Sequence, residues 1–177
     1  MSSFLPKEIH KICLASVPIV SVDVVIINHN RDKVLLFKRT NKPLKGVYYT
    51  LGGRILKSES VADTAVRKLW EEAGLVISKN DLFLGGIMEE FFEDSIYQGV
   101  ETHNVNLFFG YIAPESLTIK IDGQHSQYEW FDLSSENLHP HVRYKVDLVF
   151  ADNRFFFDPE INLSIPGKNK KSGSKCP

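Results

Sequence analysis

Hydrophobic and polar positions alternate with two distinct periods along this chain. Residues 18–28 (PIVSVDVVIIN) are a β-branched run broken by one carboxylate, Asp23, and predict a strand. The polar cluster at 29–32 predicts a turn, and the apolar residues 34–37 predict a returning second strand. A loop over 41–46 and a brief extended piece over 48–51 lead to the pair Gly52-Gly53. The period then changes. Ala62, Ala65, Val66, Leu69 and Ala73 recur at helical spacing, so a helix is expected over 60–73. Ser60 with Asp63 has the form of a capping box, and Gly74 stands where a C-terminal cap belongs. Residues 82–92 and 104–113 predict strands, 117–121 a further extended piece, and 128–131 a short strand. A last helix is expected after Pro140, a residue suited to the first helical position.

These elements divide the chain into an N-terminal arm or helix over 1–16, one folded domain over 17–158, and a Lys-, Gly- and Ser-rich tail over 159–177 whose composition predicts disorder. A length of 177 residues with 43% hydrophobic and 24% charged side chains suits one domain with a sizeable core. The formal net charge of −1 gives no reason to expect a nucleic-acid or membrane partner, and an anionic ligand would need a local cation or basic cluster. Cys13 and Cys176 lie at opposite ends with no metal or redox spacing, which fits a reducing, cytoplasmic setting. The first residues do not have the form of a signal peptide, and no apolar stretch reaches the roughly 20 residues needed to span a membrane.

Candidate chemistry concentrates in residues 52–75, GGRILKSESVADTAVRKLWEEAGL. Two glycines permit close backbone approach to a ligand, and a helix carboxylate facing a glycine carbonyl can hold a hard cation such as Mg2+. The plainer alternative is a solvated helix. Arg67–Glu71 and Lys68–Glu72 are both spaced i,i+4 and would make ordinary surface pairs.

The segment as a whole resembles the Nudix box: a glycine, five residues, a glutamate, seven residues, then Arg-Glu-aliphatic-any-Glu-Glu-any-Gly-aliphatic. Gly53, Glu59, Arg67, Leu69, Glu71, Glu72, Gly74 and Leu75 fall in register. Lys68 departs, standing where the box has its first helix glutamate. The resemblance implies an α/β fold in which a mixed β-sheet is sandwiched between helices, and a metal-dependent hydrolase. Lys68 removes one carboxylate, so fewer metals are expected, with Glu89, Glu90, Glu93 and Asp94 as an acidic stretch able to compensate.

Beyond the box, the chain is similar to the GDP-mannose mannosyl hydrolase branch of that family. The similarity is carried by Phe4-Leu5, residues 18–23, residues 38–43, Gly52-Gly53-Arg54, Thr102-His103, Gln124-His125 with Tyr128 and Trp130, and His139. It implies cleavage of a GDP-hexose at the sugar C–O bond, giving GDP and free sugar with inversion. By the same resemblance Gly52 (through its carbonyl), Glu72 and Gln124 would hold Mg2+, with Mn2+ as a substitute. His125 would be the base that activates water, and an imidazole with a pKa of about 6.5 is neutral at working pH. Arg39 and Arg54 would meet the diphosphate, and Asp23 would sit near the sugar. Phe4, Leu5 and His10 would contact nucleotide from the arm of a homodimer.

Each residue also has a plainer reading. His125 in a polar turn reads equally as an exposed loop histidine, and Arg39 at a strand end as a rim charge. His103 and His139 read as structural, His141 as surface, and Trp130 and Phe131 as core. Four departures stand out: His10 replaces a phenylalanine, Asn104 an aromatic hydroxyl residue, Glu90 a histidine, and Glu71 adds a carboxylate. Glu71 and the acidic stretch keep open a second reading, a pyrophosphohydrolase cutting P–O in a nucleotide-sugar such as ADP-ribose. A third is a nucleotide-sensing module without chemistry.

Overall fold

The computed structural model describes residues 5–121 and 123–151. The expected tail over 159–177 and the arm residue Phe4 lie outside the described residues.

The longest β-branched run becomes the centre of the molecule. Strand β1 (Ile19–Ile27) pairs antiparallel with β2 (Lys33–Arg39) and with β4 (Leu51–Arg54), and parallel with β6 (Thr102–Ile112). Strand β3 (Tyr48–Tyr49) and strand β7 (His125–Asp132) both join β2, and β5 (Leu82–Phe92) joins β6. The result is a mixed seven-stranded sheet. Residues 21–27 of β1 are buried without interruption, because both sheet faces are covered.

Alternate residues of β1 enter opposite cores. Val22, Val24 and Ile26 pack with Phe109, Leu51 and the stripe Ala65, Leu69 and Ala73 of α2 (Val61–Ala73). Val25 and Ile27 pack with Phe108, Tyr49 and residues Val142, Val146 and Val149 of α3 (Pro140–Phe150). The sheet therefore lies between α2 and α3, the α/β/α layering expected. Trp130 and Phe131 take opposite faces of β7, one against each core.

The expected caps of α2 are present: the Ser60 hydroxyl accepts from the Asp63 N–H at 3.1 Å, and Gly74 adopts φ +67° at the C-terminal end. Two expectations change. Strand β7 begins at His125 rather than near residue 128, since its pairing with β2 continues past an irregularity to Arg39. Residues 117–121 form no strand; Leu117 and Ile119 pack against the α2 core, and the Lys120 N–H caps Ala73 at 2.9 Å. The arm is a helix, α1 (Lys7–Ser16), with no buried residue.

Candidate active site

One cavity of about 360 Å³ opens where β1, β2 and β4 meet the N-terminal arm and the loop after β5. Its wall includes Gly52, Arg54, Glu72, Gln124, His125, Arg39 and Asp23, together with Leu5 and His10 of the arm. Every site residue expected from the sequence, apart from Phe4, thus faces a single space. A larger hollow of about 670 Å³ lies between the end of α1 and the β5–β6 hairpin, away from the box helix.

The two glycines face opposite sides of β4. A β-carbon at Gly53 would come within 2.9 Å of Lys68 Cε, while one at Gly52 would collide with the Asp23 carboxylate and the Val22 carbonyl. Gly52 pairs directly with Asp23 across the β1–β4 ladder. These approaches explain why both positions lack a side chain.

On the α2 side, box residues form a chain of ion pairs. Arg67 grips Glu59 through Nε at 2.6 Å and Nη2 at 2.8 Å, donates to Glu71 at 3.0 Å, and reaches the Arg54 carbonyl at 3.3 Å. That grip, against the opposing effect of burial, holds the Glu59 carboxyl down at about 2. Lys68 contacts Glu71 at 3.4 Å and ion-pairs closely with Glu72. Both i,i+4 pairs of the surface reading therefore form. Lys68 and Glu72 are nevertheless buried, at 9% and 3% exposure, so this pair is no solvated face. Glu72 also accepts from the Gly52 N–H at 3.3 Å, which brings it against the glycine expected to share a cation.

Among the described residues, no three His, Cys, Asp or Glu side chains gather as a metal site. The expected donors are of another kind: one buried carboxylate, a backbone carbonyl and the Gln124 amide, all oxygen. That set fits one hard divalent cation completed by substrate phosphate. With Lys68 in place of a carboxylate, it does not extend to a second. The acidic stretch supplies no substitute cluster: Glu89 pairs with His103 at 3.2 Å, Asp94 pairs with Lys42 at 3.1 Å, Glu93 is exposed, and only Glu90 turns inward.

His125 is 6% exposed, with its ring edge-on to Phe37 at 5.6 Å. The exposed-loop reading is thereby corrected: pairing of β7 with β2 draws this residue out of the turn and into the cavity wall beside Gln124. Arg39, opposite it in the ladder, donates from Nε to the Pro43 carbonyl at 2.9 Å, which fixes the guanidinium at the cavity mouth. His10 sits 3.0 Å from the Tyr97 hydroxyl, which in turn donates to the Lys7 carbonyl. Burial and the charge of Arg54 hold His10 below the usual histidine range.

A second buried cluster lies on the α3 side. Lys145 is fully buried and bonded to Asp23 and, at 2.8 Å, to Glu90. Thr50 donates to Asp23 at 2.7 Å, and the Tyr49 hydroxyl donates to Glu90 at 2.6 Å. Burial alone would raise the Glu90 carboxyl, but the Lys145 charge and its hydrogen bond hold it below the usual range. Burial, with Glu90 and Asp23 beside it, drives the Tyr49 phenol far upward, so it stays protonated. His141, expected at the surface, instead approaches Tyr49 at 3.2 Å and Glu90 at 3.9 Å. Sequence reasoning missed Lys145. The available signal was a lysine on the stripe Val142, Val146 and Val149 of the last helix.

The NUDIX domain profile matches residues 17–149. The low-salt glycan biosynthesis protein Agl8 of Haloferax volcanii is 30% identical over 145 residues, covering 82% of this chain and 90% of that protein. An ADP-ribose pyrophosphatase of Methanocaldococcus jannaschii is 39% identical over 70 residues, 40% of each chain. Among solved structures, a MutT NUDIX hydrolase of Burkholderia pseudomallei superposes with a TM-score of 0.60 at 22% identity, covering 75% of this chain and 98% of that one. The NUDIX domain of Shewanella oneidensis NrtR, in complex with ADP ribose, gives 0.54 at 23% identity over 67% of this chain and 75% of that one.

Proposed function

The chain belongs to the NUDIX family, and on that premise we propose that it is a Mg2+-dependent hydrolase that cleaves a GDP-hexose at the sugar C–O bond to GDP and free sugar, with Mn2+ able to replace Mg2+. The observation that carries this reading is the shared cavity, which joins Glu72 and Gly52 of the box to Gln124 and the buried His125, with Arg39 and Arg54 on the same wall. Gly52, Glu72 and Gln124 would hold the cation, which when bound supplies Lewis-acid stabilisation of the departing diphosphate. Arg39 and Arg54 add positive charge to the same oxygens. The His125 imidazole accepts a proton from the attacking water, and a diphosphate so neutralised leaves without a general acid.

Lys68 supports this reading over P–O cleavage. Its ammonium lies against Glu72, and Glu71 is engaged by Arg67 and Lys68. A multi-metal site that drives water onto phosphorus would need a second carboxylate on this helix, and there Glu71 is held by Arg67 and Lys68. The competing pyrophosphohydrolase reading draws on Glu71 itself and on the similarity to an ADP-ribose pyrophosphatase. The arm supports a homodimer. Helix α1 buries none of its residues, leaves Ile9 and Ile12 exposed, and places His10 at the cavity beside Leu5, which precedes the helix. No helix among the described residues is long and apolar enough to cross a membrane. The cysteine usage suits the cytoplasm.

The test is His125→Gln, which keeps size and polarity and removes basicity. The expected result is a fall of roughly 10²–10⁴ in kcat with little change in KM. Near-normal kcat in that variant, with activity abolished by Glu71→Gln, would transfer the reaction to the pyrophosphohydrolase reading.

A further inference from the structure

The box helix presents a cation of its own to the place proposed for a divalent one. Lys68 stands one turn before Glu72, and its ammonium ion-pairs closely with Oε1 of that carboxylate. The other oxygen, Oε2, accepts from the Gly52 N–H at 3.3 Å. Glu72 is the one carboxylate among the three proposed donors, and the protein itself engages both of its oxygens.

A divalent cation shared by Glu72 and the Gly52 carbonyl would meet this ammonium at short range. Like charges this close repel, and burial removes the water that would screen them. Lys68 has therefore to loosen its hold on Glu72 before a metal is bound. Its freedom to do so depends on a second acceptor. Lys68 and Glu72 are both buried, and a buried ammonium that loses its partner suffers a large desolvation penalty.

Glu71 supplies that acceptor. Its Oε2 lies 3.4 Å from Lys68 Nζ, farther than Glu72 but within reach of a small rotation. Arg67 holds the same Glu71 oxygen at 3.0 Å and is itself anchored to Glu59 at 2.6 Å, so the acceptor stays in place. The lysine stem runs over Gly53, where a β-carbon would come within 2.9 Å of Cε. The stem thus lies in a slot, and only the ammonium need turn. Glu71 and Glu72 follow Lys68 by three and four residues, so the helix offers the two acceptors side by side.

We propose that Lys68 is a resident counter-ion of the cation site. It holds Glu72 while no metal is bound and turns to Glu71 when a divalent cation takes Glu72, so the Lys68–Glu71 pair sets the affinity for metal. The inference rests on the cation site proposed above. It gives Glu71 a positioning role rather than a ligand's, and it gives one joint reason for the lysine at 68 and the carboxylate at 71.

The test titrates the full chain with Mn2+ alone, without nucleotide, and reads free Mn2+ by electron paramagnetic resonance. Lys68→Met keeps the stem and removes the charge. It should tighten the Mn2+ Kd by at least about tenfold, the scale on which a group touching a metal ligand acts. Glu71→Gln takes the second acceptor from Lys68 and should weaken the Kd by about tenfold, yet by less than about threefold in the Lys68→Met background. A metal ligand at 71 would be missed equally in both backgrounds. If Lys68→Met fails to fold, Lys68→Gln replaces it under the same expectations. A Kd unmoved or weakened by the uncharged side chain at 68, or an equal loss from Glu71→Gln in both backgrounds, overturns the proposal and leaves the cation site standing. Absence of Mn2+ binding in every variant removes both. The bond cleaved is read separately, from the products of the reaction.

Discussion

Two lysines lie buried among the described residues, and they differ in how their partners are reached. Lys68 pairs with Glu71 and Glu72, three and four residues away on its own helix. Lys145 pairs with Glu90 and Asp23, 55 and 122 residues away on two strands. The first set sits at the box, against the backbone of the glycine pair; the second lies beneath the sheet on the opposite face. The first cluster also has alternatives, since Arg67 and the Gly52 N–H share its carboxylates. In the second, Thr50 and Tyr49 donate hydroxyls to the carboxylates, but among the described residues Lys145 is the one ammonium or guanidinium bonded to either. The difference teaches that similar ion pairs can serve different ends. One cluster borders the proposed cation site, and the other fixes the geometry of a buried wall.

The largest expected effect falls on that wall. Lys145→Met leaves two buried carboxylates without a counter-ion and should lower unfolding stability by roughly 3–5 kcal/mol, read from the denaturant midpoint. The same change at Lys68 should cost clearly less, because Arg67 still neutralises Glu71 and Glu72 keeps the Gly52 N–H. Equal losses at the two positions would mean that both clusters depend on their lysine alike.

At the box the expected damage is chemical. Glu72→Gln should reduce activity by at least about a hundredfold, the scale of a lost ligand to a Lewis-acid cation. Activity should vanish in EDTA and return with Mg2+ or Mn2+. Full activity in EDTA would remove the cation from the account.

A smaller effect sharpens the comparison through pH. Glu59 is gripped by Arg67, and its folded-state pKa of about 2 lies below its ordinary value of 4.5. A lowered carboxyl contributes stability that is fully present above the unfolded value and is lost as pH falls through the folded one. Glu59→Gln should therefore cost about 1.5–3 kcal/mol at neutral pH. The gap between variant and parent should close as pH falls from 4.5 toward about 2. A gap that stays constant over that window would mean that packing of the loop, and not the ion pair, sets the contribution of this residue.

What the sequence made legible divides along the same line. The box helix was readable because its caps, its stripe and its charges are local: Ser60, Asp63, Gly74 and the i,i+4 pairs announce themselves within one window. The strands of the sheet were readable from β-branched runs. The start of β7 was not, because only its pairing with Arg39 on β2 pulls His125 out of a turn of ordinary loop composition. Lys145 and His141 were invisible for a related reason. A lysine beside Val142 and Val146 looks like a face boundary until β1 and β5 bring carboxylates to it. Asp23 lay between these cases. A lone carboxylate in a buried strand required a partner, but nothing local named Lys145.

The central claim is that water attacks carbon and not phosphorus, and the position of the new oxygen decides it. The full chain is incubated with GDP-mannose and Mg2+ in ¹⁸O-labelled water, and both products are weighed by mass spectrometry. The account predicts label in the free sugar and none in the nucleoside diphosphate. Label in a phosphate-bearing product would contradict it.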